Sequence, residues 1–210
     1  MEQKSQSNLD LHFLEEKFMI SPLKKLMLSY FELKVFKNFL KSIDITLEGK
    51  NILEVGCGAG YGLVQIYKDF KPKEYYAFDI NPKMVALSRD KVESHHLPVH
   101  LFVGDVRNLE LASEKIDLTF IFTVLHHVVG WQDALIEINR VMKSGGLLLI
   151  DEINNRALNW FERYLKVHHP IKARFTWPIF RSGLANAGFK ILREFRFLED
   201  LGFFLCTKVR

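Results

Sequence analysis

The chain has 210 residues, 48% of them hydrophobic and 26% charged, enough for one domain with a full core and too little for a second of similar size. This balance excludes a disordered chain, a collagen-like repeat and a coiled coil. The net charge of +4 is unevenly spread: residues 156–196 carry +7, so the remainder carries about −3, a layout that suits an anionic small molecule, a phospholipid surface or RNA, and equally a solvated basic face.

Two cysteines, Cys57 and Cys206, lack metal-type spacing, and a reduced cytoplasmic protein is expected. The polar start MEQKSQSNLD does not read as a signal peptide and no apolar run approaches the ~18 residues of a membrane span, so a soluble chain is expected, with peripheral membrane contact as an open option.

From Leu9 to Leu40 the apolar spacing is helical. Ser21 and Pro22 serve as cap and first turn, and Leu23, Leu26, Met27 and Tyr30 share one face, which predicts an N-terminal helical extension over residues 1–48 ahead of a domain at 49–210. Asn51–Val55 is a short buried strand closed by glycines, followed by a helix from Gly60 to Phe70. Glu74–Asp79 is a second strand, and Asn81 with Pro82 caps a helix to about Val92. Val99–Val103 and Ile116–Phe122 are strands, Trp131–Met142 a helix, and Leu147–Asp151 a fifth strand after a Gly145–Gly146 turn. Alternation with crossovers of this length predicts a parallel sheet covered on both faces. In the tail, a helix starts near Thr176 and stops at Gly188, and strands Phe189–Phe197 and Phe203–Val209 join through a turn at Asp200–Gly202. So short a connection requires an antiparallel pair. The fold class is therefore α/β: a Rossmann-like, doubly wound, mostly parallel sheet with a C-terminal antiparallel hairpin.

The strongest local signal is ILEVGCGAGYG, Ile52–Gly62. Gly56, Gly58 and Gly60 end a strand and open a helix, where missing Cβ atoms let a ligand lie against backbone N–H groups. Asp79 ends the second strand twenty-three residues after Gly56, near the ~20-residue offset of a ribose-binding acid. Asp105, beyond the third strand, stands where a carboxylate can accept the exocyclic amine of adenine, with apolar Val106 beside the ring. Each feature alone also reads as an ordinary turn or helix cap; in strand order they mark one site. The dinucleotide pattern G-x-G-x-x-G is not met, because the third glycine falls one residue early at Gly60 and Tyr61 follows; a ligand without diphosphate is preferred.

With LEVGCGAG (Leu53–Gly60), AFDI (Ala77–Ile80), GDV (Gly104–Val106), IDLTFIFTVLHHV (Ile116–Val128) and EINRVMKSGGLLLI (Glu137–Ile150), the chain resembles the class I S-adenosylmethionine-dependent methyltransferases, in particular the small-molecule branch that includes quinone-methylating enzymes. The resemblance implies a seven-stranded sheet and S-adenosylmethionine as cofactor. It also implies that Glu54 and the backbone of Gly56, Cys57, Gly58 and Gly60 hold the amino-acid end of that cofactor. Asp79 would then hold the ribose, Asp105 and Val106 the adenine, and Phe122 with Thr123 would lie beneath the methyl group, with Ile80 also among the cofactor-binding residues.

Methyl transfer from a sulfonium needs the acceptor oriented, and a base helps only for a phenol or amine. His126 and His127, just past the fourth strand, stand where parallel sheets present ligands. His126 is the candidate base, against the reading that the pair is helix-start packing. His95–His96 and His168–His169 are adjacent pairs and not the i,i+4 pairs that share a helix face, so no metal is expected. Residues 155–185, with Trp160, Phe161, Tyr164, Phe175, Trp177 and Phe180 among basic residues, are expected to cover the acceptor, with core packing as the competing reading and interfacial membrane contact as a third. The expected partner is a small, hydrophobic or anionic acceptor. Nucleic acid is disfavoured because FTVLHHV, residues 122–128, lacks the Pro-rich motif of amine-methylating families. The alternatives are RNA methylation and a non-catalytic cofactor-binding module.

Overall fold

The computed structural model describes residues 31–43, 45, 48–165 and 169–209; most of the expected N-terminal extension, and His168, lie outside them. The elements are α1 (Leu33–Lys41), β1 (Asn51–Val55), α2 (Tyr61–Phe70), β2 (Glu74–Asp79), α3 (Pro82–Ser94), β3 (Val99–Val103), β4 (Ile116–Phe122), α4 (Trp131–Val141), β5 (Met142–Ile153), α5 (Asn155–Trp160), α6 (Trp177–Asn186), β6 (Phe189–Phe197) and β7 (Leu201–Lys208), with single 3-10 turns at Leu125–His127 and Ile171–Ala173. The seven strands form one sheet in the order β3-β2-β1-β4-β5-β7-β6. β1 to β5 pair in parallel, while β7 runs antiparallel to both β5 and β6.

The period of two along the strands sorts side chains onto two faces. Leu53, Ile121, Leu148, Ile150 and Phe204 meet Trp131, Leu135 and Ile138 of α4 and Phe180 and Leu184 of α6. On the opposite face Ile52, Tyr75, Phe120, Leu149 and Leu205 meet Leu33, Phe36 and Leu40 of α1 and Leu63 and Ile66 of α2. Full burial of one such side chain stabilises by about 1.5–3 kcal/mol, so both layers of helices are held by the same sheet. Phe175, Trp177 and Phe180 are buried in the first of these faces, with Phe175 5.2 Å from Trp131 between ring centroids. Core packing therefore claims these three aromatics, whereas Trp160 and Tyr164 are exposed.

Two boundaries differ from the sequence expectation. The fifth strand begins at Met142, directly after α4, because Met142 pairs with Ile116 and the chain then bulges through Gly145 (φ 76°) before Leu147 joins Leu118. In the hairpin the turn lies at residues 198–200, where Leu198 and Glu199 adopt positive φ. Gly202 falls within β7; a Cβ there would stand 2.6 Å from the Trp177 ring, so this glycine serves close packing and not the turn.

Candidate active site

The sheet order reverses between β1 and β4, and ligands of open α/β sheets bind at the carboxyl ends of strands beside such a switch point. Gly56 (φ 66°) lies against the start of the β4 loop, where a Cβ would meet Val124 Cγ2 at 2.6 Å. Gly60 caps α2 in the left-handed region at φ 78°. The loop between them is fastened at three points. Asp79 Oδ2 accepts from Gly58 N at 2.9 Å, Ser88 of α3 donates to Gly58 O at 2.7 Å, and Cys57 N donates to Phe78 O at 2.9 Å. Cys57 turns its thiol inward against Ser88, and burial raises the thiol's pKa, so the loop offers a ligand its backbone.

Asp79 also accepts from Asn81 N at 2.8 Å, and burial raises its carboxyl above the ordinary range. Ile80 beside it is exposed. Glu54 is buried beneath the loop: Tyr75 donates to it at 2.5 Å, and a Cβ on Gly62 would stand 2.2 Å from its Oε1. Asp105 grips Arg107 (Nη2 to Oδ2 2.6 Å), which holds its carboxyl below the usual range. Val106 is buried among core side chains. Phe122 packs 5.6 Å from Phe36, at the end of the apolar layer under α1.

Beyond β4 the backbone is unusual. Thr123 has φ 57°, its N–H donates to Asp151 O at 3.0 Å and its hydroxyl to Asp151 Oδ2 at 3.2 Å. Glu152, fully buried, accepts from Val124 N at 2.9 Å and Leu125 N at 2.5 Å through Oε1, and lies 2.8 Å from His126 Nδ1 through Oε2. Burial pushes its carboxyl up to about 7, against those backbone donors and nearby His127. His169, just before the turn Ile171–Ala173, packs at a tilt 5.2 Å from His126 and 4.9 Å from His127 between ring centroids.

Glu54, Gly56, Cys57, Gly58, Gly60, Asp79, Ile80, Asp105, Val106, Phe122 and Thr123 lie in the last residues of β1, β2 and β4 or in the loops that follow β1 to β4, and His126 lies on the 3-10 turn beyond β4. Arg107, Ser88, Asp151, Glu152 and His169 were not anticipated. Ser88 had a signal, as the polar member of the inward stripe Met84, Val85, Ser88. Asp151 and Glu152 had one too, as paired acids ending a buried strand. His169 had none.

An open, mostly parallel sheet with a glycine loop after its first strand and an acid ending its second defines a binder of adenosine-like ligands. The acids on this edge suit hydroxyls, an amine and a cationic centre, and would repel a diphosphate. Residues 53–150 match the family described as methyltransferase domain. A phthiotriol/phenolphthiotriol dimycocerosates methyltransferase of Mycobacterium leprae is 32% identical over 120 residues, 56% of this chain and 43% of that protein. A demethylmenaquinone methyltransferase of Staphylococcus haemolyticus is 26% identical over 179 residues, 84% of this chain and 71% of that protein. The crystal structure of a SAM-dependent methyltransferase from Aquifex aeolicus superposes with a TM-score of 0.73 at 22% identity, over 93% of this chain and 97% of that one. Over residues 53–150, just under half of its length, the chain is similar to that methyltransferase family, and over 93% of its length it shares the fold of the SAM-dependent methyltransferase structure. Its match spans less than half the length of the mycobacterial relatives. Among the described residues no helix is long and apolar enough to cross a membrane.

Proposed function

We propose that the protein moves a methyl group from S-adenosylmethionine to a small, hydrophobic acceptor. Glu54 and the backbone of Gly56, Cys57, Gly58 and Gly60 would hold the amino-acid end of the cofactor, Asp79 its ribose, and Ile80, Asp105 and Val106 its adenine, with Phe122 and Thr123 beneath the methyl. When bound, the cofactor supplies a methyl on a positively charged sulphur, which is already electrophilic. The chain's own task is then to orient and to exclude water, an effect worth up to roughly 7–11 kcal/mol in favourable systems.

The observation that carries this reading is the bond from Gly58 N to Asp79 Oδ2. It joins the loop and the acid into one unit before any ligand arrives, so the ribose anchor and the backbone shelf keep a fixed separation. Asp105 fits the same plan with one addition: Arg107 orients its carboxylate. For a hydroxyl acceptor, His126 would take the proton at Nε2 while Glu152 holds Nδ1, a contribution of ~10²- to 10⁴-fold. Glu152 is a positioning residue, since it reaches the acceptor only through the imidazole.

The hydrophobic acceptor is supported by two facts. Proteins similar to this chain are named for methylating phthiotriol-type lipids and demethylmenaquinone. Exposed Trp160, Tyr164 and Ile171 in residues 155–185 offer an apolar cover on a basic stretch, which also suits transient contact with a membrane surface by a cytoplasmic protein. Incubation with radiolabelled S-adenosylmethionine and a panel of quinol, phenolic-lipid and RNA acceptors tests it. We expect label in a quinol or phenolic lipid; label in RNA alone would overturn the acceptor class, and label in none of them would favour a binding module.

A further inference from the structure

The base reading accounts for His126 and Glu152. It leaves unexplained why two more imidazoles crowd the same point. One ring nitrogen from each of His126, His127 and His169 falls within 4.8 Å of the other two, and the ring centroids are 4.1 to 5.2 Å apart. We propose that these three histidines form a binding site for a divalent transition-metal ion of the zinc class.

The donor set selects that class. Neutral imidazole suits zinc, cobalt, nickel and copper, and three histidines with a fourth position left to water or substrate is the arrangement of catalytic zinc. Around one tetrahedral ion with bonds of about 2.1 Å, ligand nitrogens stand about 3.4 Å apart, so a site whose nitrogens lie within 4.8 Å of one another would close by movement of the rings toward the ion. The ligands come from two places: consecutive residues on the 3-10 turn Leu125–His127, and His169 ahead of the turn Ile171–Ala173. Adjacent histidines need not share a helix face when the third ligand arrives from another segment.

Glu152 supplies the feature that sets a metal-ready histidine apart from a packed one. Its carboxylate, fully buried and held by Val124 N and Leu125 N, sits 2.8 Å from His126 Nδ1. It accepts a hydrogen bond from Nδ1–H in the tautomer whose lone pair lies on Nε2. Carboxylate, imidazole and ion in line is the recurrent support of a metal histidine. The negative charge of Glu152 also offsets that of the ion in a site where His126 and His169 are both buried.

The site itself stands apart from the methyl-transfer reading; its consequence rests on it. A hydroxyl oxygen of the acceptor in the open position would lose its proton to solvent more readily. In the metal-loaded protein the ion would then take over the activation assigned to His126.

The test uses the full chain, freed of metal by chelation and titrated with Co(II) and with Zn(II). We expect one ion per chain and visible Co(II) absorption of a four- or five-coordinate nitrogen site. His127→Ala and His169→Ala should each weaken binding at least tenfold, Glu152→Gln by about 10- to 100-fold, and a His95→Ala/His96→Ala double variant should bind as the parent does. S-adenosylhomocysteine titrated into every variant shows whether the fold and the cofactor site survive, which separates loss of the metal site from failure of the methyltransferase reading. Should a variant unfold, ring 15N spectra of the unsubstituted protein decide: Zn(II) should move the signals of His126, His127 and His169. Absence of binding, retained affinity in His127→Ala and His169→Ala, or movement of other histidines instead would overturn the proposal.

Discussion

The two halves of the sheet's carboxyl edge are built by different means. At the ends of β1, β2 and β3 the proposed ligand shelf is backbone, a left-handed glycine loop fastened by Asp79 and Ser88, 21 and 30 residues beyond Gly58 in the chain. At the ends of β4 and β5 the equivalent position is side chain, a buried carboxylate with two backbone N–H groups and an imidazole around it. The first arrangement presents donors to whatever nucleoside lies on it. The second keeps a carboxyl group in the interior and joins the ends of two neighbouring strands, 26 to 28 residues apart in the chain. One side is suited to a constant ligand, the other to variable chemistry.

This contrast predicts unequal costs. Glu152→Ala strands the N–H groups of Val124 and Leu125 and the His126 ring in the interior; at about 1–3 kcal/mol for each buried polar group left unsatisfied, we expect the largest loss of the series in urea unfolding. Gly62→Ala forces a methyl onto the Glu54 carboxylate; overpacking of this kind costs about 1–3 kcal/mol, and calorimetry should show weaker S-adenosylhomocysteine binding as the loop above is displaced. Ser88→Ala removes one fastening of the loop for about 0.5–1.5 kcal/mol, read as a lowered Tm. An equal or larger loss for Ser88→Ala than for Glu152→Ala would erase the distinction between the two halves.

The smallest effect concerns the loop after β3. Glu137 of α4 accepts from Leu109 N, and Arg140 bonds both to Glu137 and to the carbonyls of Leu109 and Leu111. The Arg140 guanidinium holds the Glu137 carboxyl below the ordinary glutamate value. A lowered carboxyl pKa contributes stability that is present above the unfolded value and lost as pH falls through the folded one. Glu137→Gln should therefore flatten the fall of Tm on the acid side and leave the slope near neutral pH unchanged.

The same contrast explains what the sequence could say. The glycine loop, Asp79 and Asp105 announce themselves because each follows its strand directly, and the chemistry of a strand-to-helix turn is local. The strand order and the final hairpin follow from element alternation and from the brevity of the last connection. Glu152 is different: it ends an apolar run, and nothing adjacent reveals that His126 lies across from it on β4's loop. His169 reaches that loop only because the chain after β5 folds back over it, a long-range consequence of packing Phe175, Trp177 and Phe180 against Trp131. Gly202 illustrates the remaining ambiguity, since a glycine that makes room for a Trp ring looks in sequence like a glycine that makes a turn.

The central claim is that the glycine loop and Asp79 together grip the adenosine of S-adenosylmethionine. Calorimetric titration of S-adenosylhomocysteine into the parent protein, Asp79→Ala and Asp79→Asn tests it most directly. Loss of a carboxylate that accepts ribose hydroxyls should weaken binding by about 1–3 kcal/mol in Asp79→Ala, with a smaller loss in Asp79→Asn, which keeps an acceptor for Gly58 N. Equal affinity in all three proteins would contradict the account.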